Sequence, residues 1–154
     1  MNKALLAVLA AFALLAAVVA GCGSDDDSET TATITKAELI KQGDQICEKA
    51  NEESEAEAEE FAEENDFTLE KASEEQLEEA VAEVLVPNLN GQIEDIRALG
   101  APEGDEEQVE EILVSLEGAA DEIEDDPSVV FEGEVLKEPS KLAESYGFEV
   151  CGEE

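Results

Sequence analysis

The sequence predicts an all-α fold: an antiparallel bundle of three long helices plus a short C-terminal helix, carried on a disordered N-terminal tether. Three observations predict it. Apolar residues recur at the alternating three-and-four spacing of a helix face in three separate segments, within residues 39–50, 77–96 and 109–123. Two of those segments open on a capping box, Thr35-x-x-Glu38 and Ser73-x-x-Gln76, in which side chain and backbone at the helix start satisfy each other's hydrogen bonds. The segments end on helix stops, Gly100 followed by Pro102 and then Asp126-Pro127. Apolar stripes cannot stay in water, and short connections make successive helices neighbours, so the stripes pack against one another.

The chain starts with a different kind of segment. Residues 1–21 have the layout of a secretory signal: Lys3 is the only charge, and an apolar run extends from Ala4 to Ala20. At 17 residues the run is shorter than the ~20 that span a bilayer as a helix. It closes on Val19-Ala20-Gly21-Cys22, which resembles the lipobox of bacterial lipoproteins, where the Cys thiol receives a diacylglyceryl group and cleavage falls just before it. That resemblance implies lipid on Cys22. An ordinary cleaved signal would want small residues at alternate positions before the cut, which Val18-Val19-Ala20 supplies poorly, and an uncleaved anchor would be short. All three alternatives place the body outside the cytoplasm, because the first charges beyond the run, Asp25-Asp26-Asp27, are acidic. Two acyl chains hold a protein stably at a membrane face, at ~0.8 kcal/mol per buried CH₂.

Residues 22–34 read as a disordered acidic tether and 35–154 as the helical domain. Eleven tether residues, Gly23 to Thr33, reach roughly 20 Å and hold the domain off the bilayer. The triple Asp is not an EF-hand, since Thr30 stands where Gly is needed and Lys36 where the bidentate Glu belongs.

The first helix starts at Thr35, with Ile34 and Leu39 in the positions of a hydrophobic staple. Leu39, Ile40, Gly43, Ile46, Cys47 and Ala50 form its stripe. Beyond Ala50 the stripe thins among glutamates, which predicts a solvated extension weakened by like charges. Residues 65–72 read as a turn. The second helix begins near Ser73, and Leu77, Val81, Val84, Leu85, Leu89, Ile93 and Ile96 keep one phase across Pro87, so Pro87 is expected to kink one long helix rather than separate two. The third opens at Asp105, with Gln108 three positions on, and runs to Asp126. Residues 128–138 are irregular apart from a turn near Val129. The fourth helix is brief, from about Pro139 to Tyr146 with Gly147 as its cap, and Phe148 to Cys151 is expected to run extended.

Removing residues 1–21, which hold one Lys and no acid, takes the net charge from −35 to −36, and acids make up about a third of what remains. A charge of that sign opposes nucleic acid and anionic headgroups. It fits cationic partners, diffuse cations or a saline medium, and most of the acids read as solvated helix faces. The chain has no His and no Trp, one Tyr and no Gly-rich phosphate loop. With no nucleophile–base pair, metal set or cofactor motif, the expectation is a protein that is not an enzyme and carries no cofactor and no metal site.

Once Cys22 is lipidated, two thiols remain in an oxidising compartment, and a structural Cys47–Cys151 disulfide is expected. A redox pair would show C-x-x-C or a basic setting, and zinc would need ligands from a chain without His. Three segments, residues 34–51 (I-T-K-A-E-L-I-K-Q-G-D-Q-I-C-E-K-A-N), 86–106 (V-P-N-L-N-G-Q-I-E-D-I-R-A-L-G-A-P-E-G-D-E) and 146–152 (Y-G-F-E-V-C-G), together resemble a group of small, uncharacterised lipoproteins of actinobacterial type. The resemblance implies a lipobox, a helical body and a Cys pair, and brings no activity with it. Gly43 departs from the Ala of that pattern, at a helix cost of roughly 1 kcal/mol.

Two charged residues stand apart. Asp44 is the one acid set into the stripe of the first helix, and Arg97 is the only Arg. They are candidates for a ligand contact or a structural ion pair, against the plainer expectation that Arg97 pairs with Glu94 at the surface. The function these features predict is that of a lipid-anchored envelope protein on the extracytoplasmic face, a non-catalytic surface interaction or spacer module with a protein partner in the envelope. The alternative is a binder of divalent cations or cationic ligands through the acidic surface.

Overall fold

A computed structural model describes residues 33–152. The predicted signal, Cys22 and nearly all of the tether lie outside the described residues. Within them the chain is helical, with no strand, and runs through five α-helices: α1 (Lys36–Glu64), α2 (Glu74–Ala80), α3 (Val86–Leu99), α4 (Glu106–Asp125) and α5 (Lys137–Tyr146). Helix α1 packs on α3, α3 on α4, and α4 on α5.

Both capping boxes form. Thr35 Oγ1 accepts from the Glu38 N–H while the Glu38 carboxylate accepts from the Thr35 N–H at 3.1 Å. The Thr35 hydroxyl, which donates to the same carboxylate at 2.6 Å, and the Thr35 N–H together hold the Glu38 carboxyl below its ordinary pKa. Ser73 and Gln76 repeat the exchange at the start of α2. Ile34 packs against the core that Leu39 enters fully buried.

The far half of α1 is mostly exposed, as expected, but its end is packed. Ala62 is buried, and Phe61 meets the Phe67 ring edge-on at 6.1 Å. Between them the helix ends in a Schellman turn: the Phe67 N–H reaches the Ala62 carbonyl and the Asp66 N–H the Glu63 carbonyl, with Asp66 left-handed at φ 59°. Beyond this aromatic pair the chain passes through a short 3₁₀ turn at Leu69–Lys71 into α2.

Pro87 does not break the helix, and a specific device accommodates it. Helices α2 and α3 are joined without interruption by a π-turn, Val81–Leu85, so the second long helix is one helical run in two α-helical parts. The Val86 N–H reaches back five residues to the Val81 carbonyl. Widening the turn upstream of a residue with no N–H absorbs the ring that would clash with a regular turn. The inserted residue also shifts the phase: Ala80 before the bulge, Val84 within it and Val86 just after it are buried, while Leu77 and Leu85 of the predicted stripe are only half-buried.

Helix α4 lacks its expected cap. Asp105 stands at the N-cap position without a capping hydrogen bond, because its carboxylate is taken by α5: Oδ2 accepts from the Tyr146 hydroxyl at 2.9 Å. Lys36 Nζ lies 3.9 Å from the same oxygen and 3.8 Å from the centre of the Tyr146 ring. Three elements therefore meet on one tyrosine, whose hydroxyl is driven to a higher pKa by burial and by the anion that accepts its proton. Helix α5 begins two residues before Pro139 and ends at Gly147, whose φ of 120° a side chain would strain.

Candidate functional site

The C-terminal segment after α5 is where the structure departs most from the sequence expectation, and it builds one wall of the candidate site. Residues 149–152 bend and turn instead of running extended. The cause is Asp44. Its carboxylate accepts the Glu149 N–H at 3.1 Å, the Val150 N–H at 2.9 Å and the Cys151 N–H at 3.2 Å. Three successive amides converge on one anion only if the backbone curls around it. Asp44 can do this because it adjoins the buried face of α1 that carries Gly43 and Cys47.

Two further contacts fix the same segment. Cys47 and Cys151 form a disulfide, as expected. Phe148 is buried and stacks on Tyr146 at 5.5 Å, and its ring edge presses on α1 at Gly43. A Cβ on Gly43 would come within 2.4 Å of Phe148 Cε1, so only Gly admits the ring. Gly at this position is thus a packing requirement of the tail.

Arg97 and Asp44 do not pair. Arg97 Nη1 bonds Glu117 Oε1 of α4 at 2.7 Å, not Glu94, and that hydrogen bond raises its already high pKa. The pair is exposed at both ends and contributes ~1 kcal/mol or less. Asp44 is occupied by the tail amides. Among the described residues, no group of three or more Cys, Asp or Glu side chains is placed to hold a metal ion, and no helix is long and apolar enough to cross a membrane.

What these contacts frame is a cavity of about 410 Å³ between α1, α3, α4 and α5, with the tail and the disulfide in its wall. Leu89 and Ile96 of α3, Leu113 and Leu116 of α4, Ala143 of α5 and Phe148 of the tail make it apolar. It opens beside the far half of α1, where Asn51 and Glu55 line it from exposed positions. The facing edge on α3 carries Asn88 and Gln92, and their amides are ordered by a short chain. Asn88 Nδ2 donates to the Ala50 carbonyl at 2.9 Å, so its Oδ1 is the atom that accepts from Gln92 Nε2 at 2.8 Å. Gln92 Oε1 takes no hydrogen bond from the described residues.

None of these edge residues was singled out by sequence reasoning. The signal was present: Asn88 and Gln92 are four apart and flank the Leu89–Ile93 stripe, polar side chains at the border of a core face. Comparison with protein-family models, with curated proteins and with solved structures finds no match to this chain.

Proposed function

We propose that this protein is a non-catalytic interaction module, held at the extracytoplasmic face of a membrane by lipid on Cys22, and that it interacts through the apolar cavity of its helical domain. The observation that carries the proposal is the cavity itself. At about 410 Å³ it falls in the size range of small-molecule sites, and it is apolar with a few polar groups at one edge, the composition such sites have. The Cys47–Cys151 bond supports the location, since disulfides persist in oxidising compartments, and so does the lipobox-like Val19-Ala20-Gly21-Cys22. Short connections support reading α1, the α2–α3 run and α4 as an antiparallel bundle, with α5 docked on it and the acidic tether setting its distance from the bilayer. The acids stand mostly on exposed positions along the helices, which favours diffuse attraction of cations over a coordinated ion.

Two measurements test this. Mass spectrometry of the N-terminus of protein isolated from its native envelope should find a diacylglyceryl group on Cys22; a peptide from within residues 1–21, or a free Cys22 thiol, would overturn the anchor. Titration with the neutral dye N-phenyl-1-naphthylamine should give saturable fluorescence enhancement at one site per chain. Enhancement that rises without saturating would remove the cavity as the interaction site.

A further inference from the structure

Taking the cavity as a binding site, we infer that its ligand is a cationic amphipath: an apolar body inside, with an amine or ammonium head at the α1–α3 edge. Size fixes the first half. A cavity of ~150 Å³ lined by aliphatic groups holds a benzene. The present one, at about 410 Å³, has room for an apolar group two to three times as large, a medium alkyl chain or a pair of rings. Apart from the Ser54 and Ser140 hydroxyls and the amides of Asn51, Asn88 and Gln92, the walls are apolar, so shape and burial decide the affinity of such a group.

Charge fixes the second half. Glu55 is the one ionisable residue that lines the cavity, and no Lys or Arg does. The next cation along α1, Lys49, is paired with Glu53 at 3.2 Å. Gln92, whose amide donates to Asn88, lines the cavity from α3. A carboxylate or phosphate head placed there would meet a like charge with only neutral amides and hydroxyls to answer it. An ammonium head meets the Glu55 carboxylate, with the neutral amides of Asn51, Asn88 and Gln92 in the same lining. The field of the whole chain, with its formal charge of −35, acts in the same direction by concentrating cations near the mouth.

Three probes of equal chain length separate the contributions: decylamine, decanol and decanoate, each used well below its micelle concentration to displace N-phenyl-1-naphthylamine from the full chain at 150 mM NaCl and pH 7. Decylamine and decanol should each displace the dye from one site, decylamine about tenfold more tightly, which corresponds to ~1.4 kcal/mol. Decanoate should bind at least about tenfold more weakly than decanol. Glu55→Gln should remove most of the amine's advantage and leave decanol unchanged. Ala58→Trp, at a half-buried position lining the cavity, should weaken both, with Leu116→Phe as a second blocking variant should the first fail to fold. Decanol binding as tightly as decylamine, or decanoate as tightly as either, would overturn the cationic assignment while the cavity stands as a site. No displacement by any of the three would overturn the cavity as a binding site. Amine uptake that survives both blocking variants would place the amine on the acidic surface and overturn the proposal.

Discussion

Replacing Gly43 by Ala tests the tail-docking geometry with a single carbon. Helix propensity alone says the change stabilises the protein by roughly 1 kcal/mol. The structure says otherwise, because the new Cβ would lie 2.4 Å from Phe148 Cε1, against the ~3.5–4.0 Å at which carbons sit comfortably. Relief requires the ring to move by more than an ångström, off its stack with Tyr146 and into the cavity. Overpacking of this kind costs about 1–3 kcal/mol, and the stacked pair is itself worth ~0.5–1.5 kcal/mol. Set against the helix gain, Gly43→Ala should destabilise by about 1–2 kcal/mol. Phe148→Ala alone should cost about 3–5 kcal/mol, but in that background the clash is gone and Gly43→Ala should stabilise by the full ~1 kcal/mol. The four proteins, unfolded in urea and followed by circular dichroism, should therefore show a coupling of about 2–3 kcal/mol between the two positions. Stabilisation by the same ~1 kcal/mol in both backgrounds would show that Phe148 does not press on Gly43, and the account of the tail would be wrong.

Four other outcomes are expected. Tyr146 is the only Tyr and there is no Trp, so tyrosinate absorbance reads it without interference: the folded protein should show no ionisation around pH 10, where the urea-unfolded chain titrates. Because its folded pKa is raised, its contribution is whole below about pH 10 and is lost as pH rises beyond, so alkaline unfolding and ionisation should coincide; a normal titration in a still-folded chain would contradict the Asp105 contact. Asp44→Ala should cost about 2–3 kcal/mol in urea unfolding and Asp44→Asn about half that, since the amide keeps an acceptor but loses the charge that draws the backbone donors. Reducing the disulfide, or replacing both cysteines with Ala, should lower stability by about 4–5 kcal/mol in the chain-entropy treatment, the bond spanning 104 residues. Raising NaCl from 10 to 150 mM, which shortens the Debye length from about 30 to 8 Å, should raise the thermal midpoint; a midpoint indifferent to salt would mean that the acids are neutralised by specific partners.

Which features were legible in the sequence follows from how local their causes are. The capping boxes at Thr35 and Ser73 need only residues three apart, and both form as read. The stripes name most of the core for the same reason, and the disulfide follows from count and compartment. Asp105 has the local signature of a cap, but Tyr146, 41 residues away, offers its carboxylate a better donor. The tail has an alternating pattern that reads as extended until Asp44, more than 100 residues earlier, gathers its amides. Pro87 announces a distortion but not its form, because whether a helix breaks, bends or widens depends on what must be buried on either side. The cavity was invisible for a related reason. Each of its walls reads as ordinary core face, and only the spacing of four elements leaves the room between them.

The position of the Cys47–Cys151 bond also determines how the domain carries load. It joins the first half of the first helix to a residue next to the last described one, so a pull applied between the two ends passes along α1 to Cys47, across the sulfurs and out. Everything from residue 48 to 150 hangs as a slack loop beside that path. Stretching the described chain from its ends could pay out only the residues before Cys47, about 50 Å of contour at ~3.5 Å each, and would leave α3, α4 and α5 unstressed. A pull between the ends of the described chain would thus bypass the walls of the cavity formed by α3, α4 and α5, and their shape would be insulated from it.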